Sequence, residues 1–451
     1  VTDRLPTLVL VGRPNVGKST LFNRLTKSRD ALVANIPGLT RDRRYGRGKV
    51  GGRPYLVVDT AGYDPSVRDG LAGEMVRQAE LAIREADLVL FLVDGRAGLT
   101  PHDEAIAATL RTMGVPVRLI VNKSEGLDRA VVSADFYALG FGDPLPISAS
   151  HGDGVREMIH EVLAPFPRVK RLEADEEEER GEGGVRVAVL GRPNVGKSTL
   201  INALIGEERL ITFDMPGTTR DAIDVPFDYG GRHYTLVDTA GVRKKGRVTE
   251  AIEKFSVIKA MQAVESANVT VLTIDAVQGV GEQDAHLGGF ILESGRALVI
   301  AVTKWDAAHE NQRQSVKAQL AHKLAFLSFA PVVFVSARTG RGLAALMKAV
   351  DQAYGAAMRK LPTPQLTRVL QELVRRQPPP RHGLFRPKPR YAHQGGSNPP
   401  IIVLHGNALE HLPNAYLRYL ERGFAEAFAL KGTPVRLELR TSHNPYVDAN
   451  R

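Results

Sequence analysis

The nine residues Gly12-Arg13-Pro14-Asn15-Val16-Gly17-Lys18-Ser19-Thr20 return unchanged as Gly191-Arg192-Pro193-Asn194-Val195-Gly196-Lys197-Ser198-Thr199. Both copies fit G-x-x-x-x-G-K-[ST]. In that pattern the glycines let backbone N–H groups close on phosphate oxygens, the lysine reaches the β and γ phosphates, and the serine holds Mg²⁺. Each copy follows a short apolar run, Leu8-Val9-Leu10-Val11 or Val187-Ala188-Val189-Leu190. Such a loop works where a strand delivers it to the start of a helix, so the pair demands two α/β units.

The repeat extends past the loops. Lys18 and Lys197, Thr40 and Thr219, and Asp59 and Asp238 are each 179 residues apart. The offset widens to 181 at Lys123/Lys304 and to 188 at Ser148/Ser336. A constant register across three motifs implies duplication of a whole domain, with insertions in the later loops. Loops near Gly140–Pro146 and Asn311–Ala325 are where we expect the length differences. Apolar strand runs are expected at Leu8–Val11, Tyr55–Asp59, Leu88–Val93, Val117–Val121 and Leu145–Ile147. The second set falls at Val187–Leu190, Tyr234–Asp238, Val269–Ile274, Ala297–Val302 and Val332–Val335. Alternation with helical stretches predicts mostly parallel sheets covered on both faces.

At 451 residues, the chain has length for roughly three domains of ordinary size. We expect a first α/β domain over residues 1–168, an acidic linker over 169–184, a second α/β domain over 185–359, a small α+β domain over 360–440 and a tail over 441–451. The linker rests on Glu173, Asp175, Glu176 to Glu179 and Glu182, a run whose charge favours a solvated segment. The third domain is expected in αββαβ order, with helices over Pro364–Arg376 and Leu412–Phe428 and strands at Arg390–His393, Ile401–Leu404 and Val435–Leu439. Net charge is +10, and residues 360–451 hold 14 Lys and Arg against 6 Asp and Glu, which points to contact with a polyanion. There are no cysteines, which excludes disulfides and thiolate chemistry. No apolar run approaches the ~20 residues of a membrane span, and the first residues lack the layout of a secretory signal. A cytoplasmic monomer away from membranes is the expectation.

Two further motifs accompany each phosphate loop. Asp59-Thr60-Ala61-Gly62 and Asp238-Thr239-Ala240-Gly241 end apolar runs. There the aspartate can hold Mg²⁺ through water and the glycine N–H can approach the γ phosphate. Pro37-Gly38-Leu39-Thr40-Arg41-Asp42 and Pro216-Gly217-Thr218-Thr219-Arg220-Asp221 lie between. Their Thr40 and Thr219 can reach Mg²⁺ when a γ phosphate is present, which makes these loops order–disorder switches.

With these motifs in order, the chain resembles the Der (EngA) family of bacterial ribosome-assembly GTPases, over residues 5–440. The resemblance implies two Era-like P-loop G domains followed by a KH-like domain. It further implies GTP and GDP as ligands and the large ribosomal subunit, its precursor or rRNA as partner. In G domains an N/T-K-x-D motif reads guanine, its carboxylate accepting from N1–H and the exocyclic amine. Asn122-Lys123-Ser124-Glu125 and Thr303-Lys304-Trp305-Asp306 match it. Ser148-Ala149-Ser150 and Ser336-Ala337-Arg338 match the loop that contacts the base oxygen. Glu125 adds a methylene to the usual carboxylate, and Thr303 replaces the usual amide with a hydroxyl.

The expected nucleotide ligands are therefore Gly12, Asn15, Val16, Gly17, Lys18, Ser19, Thr20, Asp59, Gly62, Asn122, Lys123, Glu125, Ser148 and Ala149 at the first site. At the second they are Gly191, Asn194, Val195, Gly196, Lys197, Ser198, Thr199, Asp238, Gly241, Thr303, Lys304, Asp306, Ser336 and Ala337. Mg²⁺ is expected on Ser19, Thr40 and Asp59, and on Ser198, Thr219 and Asp238. Catalysis is assigned to Lys18, Thr40 and Gly62 and to Lys197, Thr219 and Gly241. Tyr63 and Val242 stand where a water-positioning glutamine would follow the glycine. Related GTPases with an apolar residue there use a phosphate-loop asparagine to bind K⁺, a role that Asn15 and Asn194 match; the alternative is a residue that simply suits the turn. Arg13 and Arg192 are arginine fingers or local ion-pair partners. Residues 360–451 contain no G-x-x-G, the loop that clamps nucleic acid in KH domains. That leaves a degenerate KH fold or shape-and-charge contact by Arg375, Arg376, Arg381, Arg386, Lys388 and Arg390. Two other functions fit the same motifs: a nucleotide-gated RNA- or protein-binding scaffold, and an Era-like GTPase of tRNA modification or membrane traffic.

Overall fold

Alternate residues of one strand point to opposite faces of a sheet, and the first strand uses both. Leu8 and Leu10 pack with Leu21, Leu25, Met158 and Ile159, whereas Val9 and Val11 pack with Ile83, Ile106 and Leu110. A strand that is apolar on both sides can be stable only with helices on both faces. The computed structural model, which describes residues 5–27, 44–60, 63, 70–167, 184–206, 224–237, 257–381 and 386–441, has this layered form. Of the expected features, Thr40, Thr219, Gly62, Gly241, Asp238, linker residues 169–183 and the tail beyond Thr441 lie outside the described residues. Contacts divide the chain into two compact units, one built on residues 5–167 together with 257–262, the other on the rest.

The first unit runs β1 (Thr7–Val11), α1 (Lys18–Thr26), β2 (Arg44–Arg47), β3 (Leu56–Asp59), α2 (Gly70–Glu85), β4 (Leu88–Asp94), α3 (Pro101–Met113), β5 (Val117–Asn122), α4 (Arg129–Ala134), β6 (Leu145–Pro146) and α5 (Val155–Leu163). Its sheet has the order β2-β3-β1-β4-β5-β6, parallel throughout except where β2 runs against β3. The chain leaves β1 toward β3 on one side and returns to β4 on the other. The crevice at that reversal, at the carboxyl ends of the strands, is where open α/β sheets bind ligands.

The second α/β domain repeats the plan with β7 (Val185–Leu190), α6 (Lys197–Ile205), β8 (Val225–Tyr229), β9 (Arg232–Leu236), α7 (Val257–Ser266), β10 (Val269–Asp275), α8 (Glu282–Ser294), β11 (Ala297–Thr303), α9 (Glu310–Lys323), β12 (Val332–Phe334) and α10 (Leu343–Ala357). Its order, β12-β11-β10-β7-β9-β8, is the first order read from the other edge. Residues 311–325 are not a loop: α9 occupies 14 residues there, where the first domain has the 6-residue α4 and a short 3-10 turn, Asp135–Leu139. The extra seven residues of register are thus about two helical turns. α9 buries only Val316 and Leu320 among its residues, so its apolar periodicity is faint in the sequence.

The third domain follows the expected αββαβ order: α11 (Thr363–Arg376), β13 (Lys388–Gly396), β14 (Ile401–Asn407), α12 (Asn414–Ala427) and β15 (Arg436–Thr441). Leu366, Leu370 and Leu373 form one helical stripe, and Tyr416, Leu420 and Phe424 another. Both stripes close on Ala392, Ile402 and Leu404 of the β13-β14-β15 sheet. Fully burying each such Leu or Phe contributes roughly 1.5–3 kcal/mol.

Candidate functional site

In each α/β domain the phosphate loop connects the central strand to the next helix, at the crevice just described. Gly17 and Gly196, the residues before α1 and α6, have φ 97° and 95° in the left-handed region. A Cβ at Gly12 would lie 2.4 Å from the Leu92 carbonyl oxygen, and one at Gly191 would lie 2.6 Å from that of Thr273. No side chain fits in either loop at those points, so backbone amides line it. Asn15 and Asn194 have φ 67° and 61°, a conformation asparagine tolerates better than most residues, and both are exposed. Val16 and Val195 are buried beneath the loops.

The lysines fold over their own loops. Lys18 Nζ donates to the carbonyl oxygens of Gly12 (2.8 Å) and Arg13 (2.8 Å), and Lys197 Nζ donates to that of Arg192 (2.7 Å). Burial lowers the Lys18 ammonium to about 8, and the neighbouring Asp59 carboxylate opposes that shift. Ser19 Oγ donates to Asp59 Oδ2 at 2.7 Å, joining the start of α1 to the end of β3. This pair supplies hard oxygen donors of the kind Mg²⁺ takes, so the residues present fit that ion. Thr20 and Thr199 are exposed beside Ser19 and Ser198 at the helix starts.

Arg13 and Arg192 are held away from the phosphate crevice. Arg13 pairs with Asp103 (3.5 Å) and Arg192 with Asp284 (2.9 Å), and both carboxylates are fully buried in the first turn of α3 or α8. The ion-pair alternative is the one observed.

The base-side loops begin where β5 and β11 end, at Asn122 and Thr303. Asn122 donates from Nδ2 to the Val16 carbonyl (2.8 Å) and accepts from the Ala149 amide at Oδ1 (2.9 Å), so one amide ties the phosphate loop to the base-oxygen loop. Thr303 keeps the first contact, its hydroxyl lying 2.5 Å from the Val195 carbonyl and 3.1 Å from that of Ile274. Lys123 and Lys304 adopt left-handed backbone conformations, φ 65° and 53°. Their ammonium groups meet Asp94 (2.6 Å) and Asp275 (2.7 Å).

Asp94 and Asp275 were not among the residues expected from the sequence. Each sits at the end of a strand, 29 positions before its lysine, and accepts amide bonds from the turn that follows. The 181-residue spacing that relates the two lysines also relates these aspartates, and that was the available signal. Burial alone would raise Asp94, but the Lys123 ammonium and the Arg96 and Ala97 amides hold its carboxyl below the ordinary range.

Glu125 and Asp306 also lie below their ordinary ranges. The main contributor is the residue's own amide for Glu125 and the Ser336 hydroxyl for Asp306; Ser148 acts next on Glu125. Each carboxylate also meets a guanidinium, Arg96 at 3.1 Å from Glu125 and Arg338 at 3.0 Å from Asp306. A cavity of about 360 Å³ beside the second base loop is lined by Trp305, Asp306, Arg313, Phe334, Ser336, Thr339 and Arg341.

A strand order repeated twice, each time around a phosphate loop with a carboxylate-bearing N/T-K-x-[DE] loop beside it, defines a tandem P-loop GTPase. Residues 7–123 and 186–304 match the family described as 50S ribosome-binding GTPase, and residues 360–440 match the KH-domain-like C-terminal region of EngA bacterial GTPases. GTPase Der of Azoarcus sp. strain BH72 is 64% identical over 98% of this chain and 99% of its own length. GTPase Der of Aromatoleum aromaticum is 63% identical and that of Cupriavidus metallidurans 60%, at the same coverage. The chain belongs to the GTPase Der family, binds GTP and GDP, and hydrolyses GTP. No described helix is long and apolar enough to cross a membrane.

Proposed function

We propose that both pockets bind GTP with Mg²⁺ and that hydrolysis times the association of this chain with large ribosomal subunit particles or their precursors, through rRNA, in the cytoplasm and as a monomer. The amides of Gly12–Thr20 and Gly191–Thr199 surround the phosphates, with Lys18 and Lys197 exchanging their carbonyl partners for phosphate oxygens. Ser19, Asp59 and Thr40 would hold Mg²⁺ at the first site, and Ser198, Asp238 and Thr219 at the second. There the ion supplies positive charge against the triphosphate. Gly62 and Gly241 present an N–H to the γ phosphate. Glu125 and Asp306 read the base, aided by Asn122, Lys123, Ser148 and Ala149 or by Thr303, Lys304, Ser336 and Ala337.

Tyr63, where a water-positioning glutamine would stand, is 1% exposed and presents no amide, and Arg13 is engaged by Asp103. Charge neutralisation in the transition state then falls to the lysines and to K⁺ held by Asn15 and Asn194. Turnover is expected to be faster in KCl than in NaCl, and equal rates in the two salts would remove the K⁺ assignment.

A phosphate loop and a base-reading carboxylate recur in the same order on both sheets, and the same chain carries an exposed basic run, Arg375, Arg376, Arg381, Arg386, Lys388 and Arg390, in its third domain. Co-sedimentation with ribosomal particles tests it, using a GTP analogue, GDP or no nucleotide and the Lys18→Ala and Lys197→Ala proteins. The expected result is association with large-subunit particles that depends on nucleotide and is weakened by each substitution. Sedimentation indifferent to nucleotide would overturn the switch.

A further inference from the structure

The two base-reading carboxylates differ in length, and each is met by an arginine from a different place. In the second domain Asp306 pairs with Arg338 of its own base-oxygen loop. The residue at that register in the first domain is Ser150, which cannot supply a charge. There the arginine comes instead from the turn after β4: Arg96, whose counterpart at the 181-residue offset is Val277. The longer carboxylate and the relocated guanidinium occur together.

Arg96 does more than pair with a charge. Its Nε faces the carbonyl oxygen of Lys123 (3.4 Å), and its Nη2 faces the carbonyl oxygen (3.3 Å) and Oε1 (3.1 Å) of Glu125. One planar fork therefore spans the whole Lys123–Glu125 loop, a geometry arginine offers and lysine does not. Arg96 is itself anchored, since its amide donates to Asp94 Oδ1 (3.0 Å), and Asp94 holds Lys123. The side chain of Arg96 is 58% exposed, so as an ion pair alone it would contribute little. Its effect lies in restricting Glu125, which has one more rotatable bond than aspartate and must otherwise be ordered each time a base binds.

We propose that Arg96 is a positioning residue for nucleotide specificity at the first site: it clamps the loop and carboxylate of Glu125 so that the longer side chain presents its oxygens to guanine as an aspartate would. This rests on the reading of Glu125 as the base reader. The second domain needs no such residue in the turn after β10 because Asp306 is shorter and has Arg338 beside it.

The test uses the full chain carrying Lys197→Ala to silence the second pocket, with GTP and inosine triphosphate, which lacks the 2-amino group, as paired substrates. Arg96→Ala is expected to raise KM for GTP about tenfold with kcat unchanged and to shrink the preference for GTP over inosine triphosphate. Arg96→Lys, which keeps the charge and loses the fork, is expected to raise KM about threefold. In Glu125→Asp protein, Arg96→Ala should change KM less than about twofold, because the shorter side chain needs no clamp. A KM within twofold of the parent for Arg96→Ala overturns the proposal. So does an equal loss in the Glu125 and Glu125→Asp backgrounds, which would mark a loop support indifferent to carboxylate length. Retained preference for GTP in Glu125→Ala protein would instead overturn the reading of Glu125 beneath it.

Discussion

Asn122 and Thr303 stand at one register position and do unequal work. The amide of Asn122 donates to one loop and accepts from another, so it couples the phosphate side of the pocket to the base side through two buried hydrogen bonds. The hydroxyl of Thr303 has one hydrogen to give, and the contact it keeps is the one to the phosphate loop. Removing a side chain that satisfies buried backbone groups leaves each of them unpaired at about 1–3 kcal/mol. Asn122→Ala is therefore expected to weaken GTP binding at the first site tenfold or more, since about 1.4 kcal/mol is a factor of ten. Thr303→Ala, which strands one acceptor, should weaken the second site about fivefold. Calorimetric titration of each variant with the opposite lysine replaced by alanine separates the sites. Equal losses would mean that the bridge to Ala149 contributes nothing.

Among elements, the junction of the third domain with the second α/β domain turns on Gly432, in the turn before β15. Its carbonyl accepts from the Leu298 amide at the start of β11 (2.7 Å), and its amide donates to the Phe329 carbonyl (2.9 Å). It has φ 81°, and a Cβ there would lie 2.5 Å from the Cβ of Ala353 in α10. Gly432→Ala thus combines backbone strain with overlap at a packed contact, together about 2–4 kcal/mol. The midpoint of thermal unfolding should fall by roughly 4–16 °C. Gly230→Ala, in the β8–β9 turn with φ 58° and open space around it, carries the strain alone and should cost about 1 kcal/mol. Calorimetric scans that show equal drops would mean the contact with Ala353 does not matter.

The same scale explains what the sequence made legible. Strands such as β4 and β11 are continuous apolar runs, and the third domain declares itself through Leu366-Leu370-Leu373 spacing. β2 and β8 carry no such mark: Arg44-Tyr45-Gly46-Arg47 is polar, and β8 contains Pro226, tolerated because it lies at the sheet edge. The phosphate and base loops could be found because their chemistry is contiguous in sequence. Asp94, Asp275 and Arg96 lie outside any contiguous motif, since they reach their partners across 27 to 29 positions; the repeat spacing marks the two aspartates, and nothing marks Arg96. Only the sheet, by laying β4 beside β5 and β10 beside β11, brings them together.

For the molecule as a whole, duplication matters if occupancy of one pocket alters the other. The chain contains one tryptophan, and it falls in the second base loop. The Trp305 ring lies 4.2 Å from that of Phe334, tilted by 37°, with Arg313 5.2 Å and Lys317 5.7 Å from its ring centroid, and its chain neighbours are Lys304 and Asp306. Nucleotide arriving at Asp306 is expected to change the surroundings of the adjacent indole, so tryptophan emission should report the second site alone. Lys197→Ala should abolish the GTP-dependent change, and Lys18→Ala should keep it. The informative quantity is the midpoint of that change. If the sites are coupled, emptying the first with Lys18→Ala shifts the second-site midpoint by about fivefold or more, corresponding to roughly 1 kcal/mol of coupling. We expect that shift, because coupling is what lets the nucleotide in one pocket set the affinity of the other. A midpoint within twofold of the parent protein would mean that the two pockets act as separate switches on one chain.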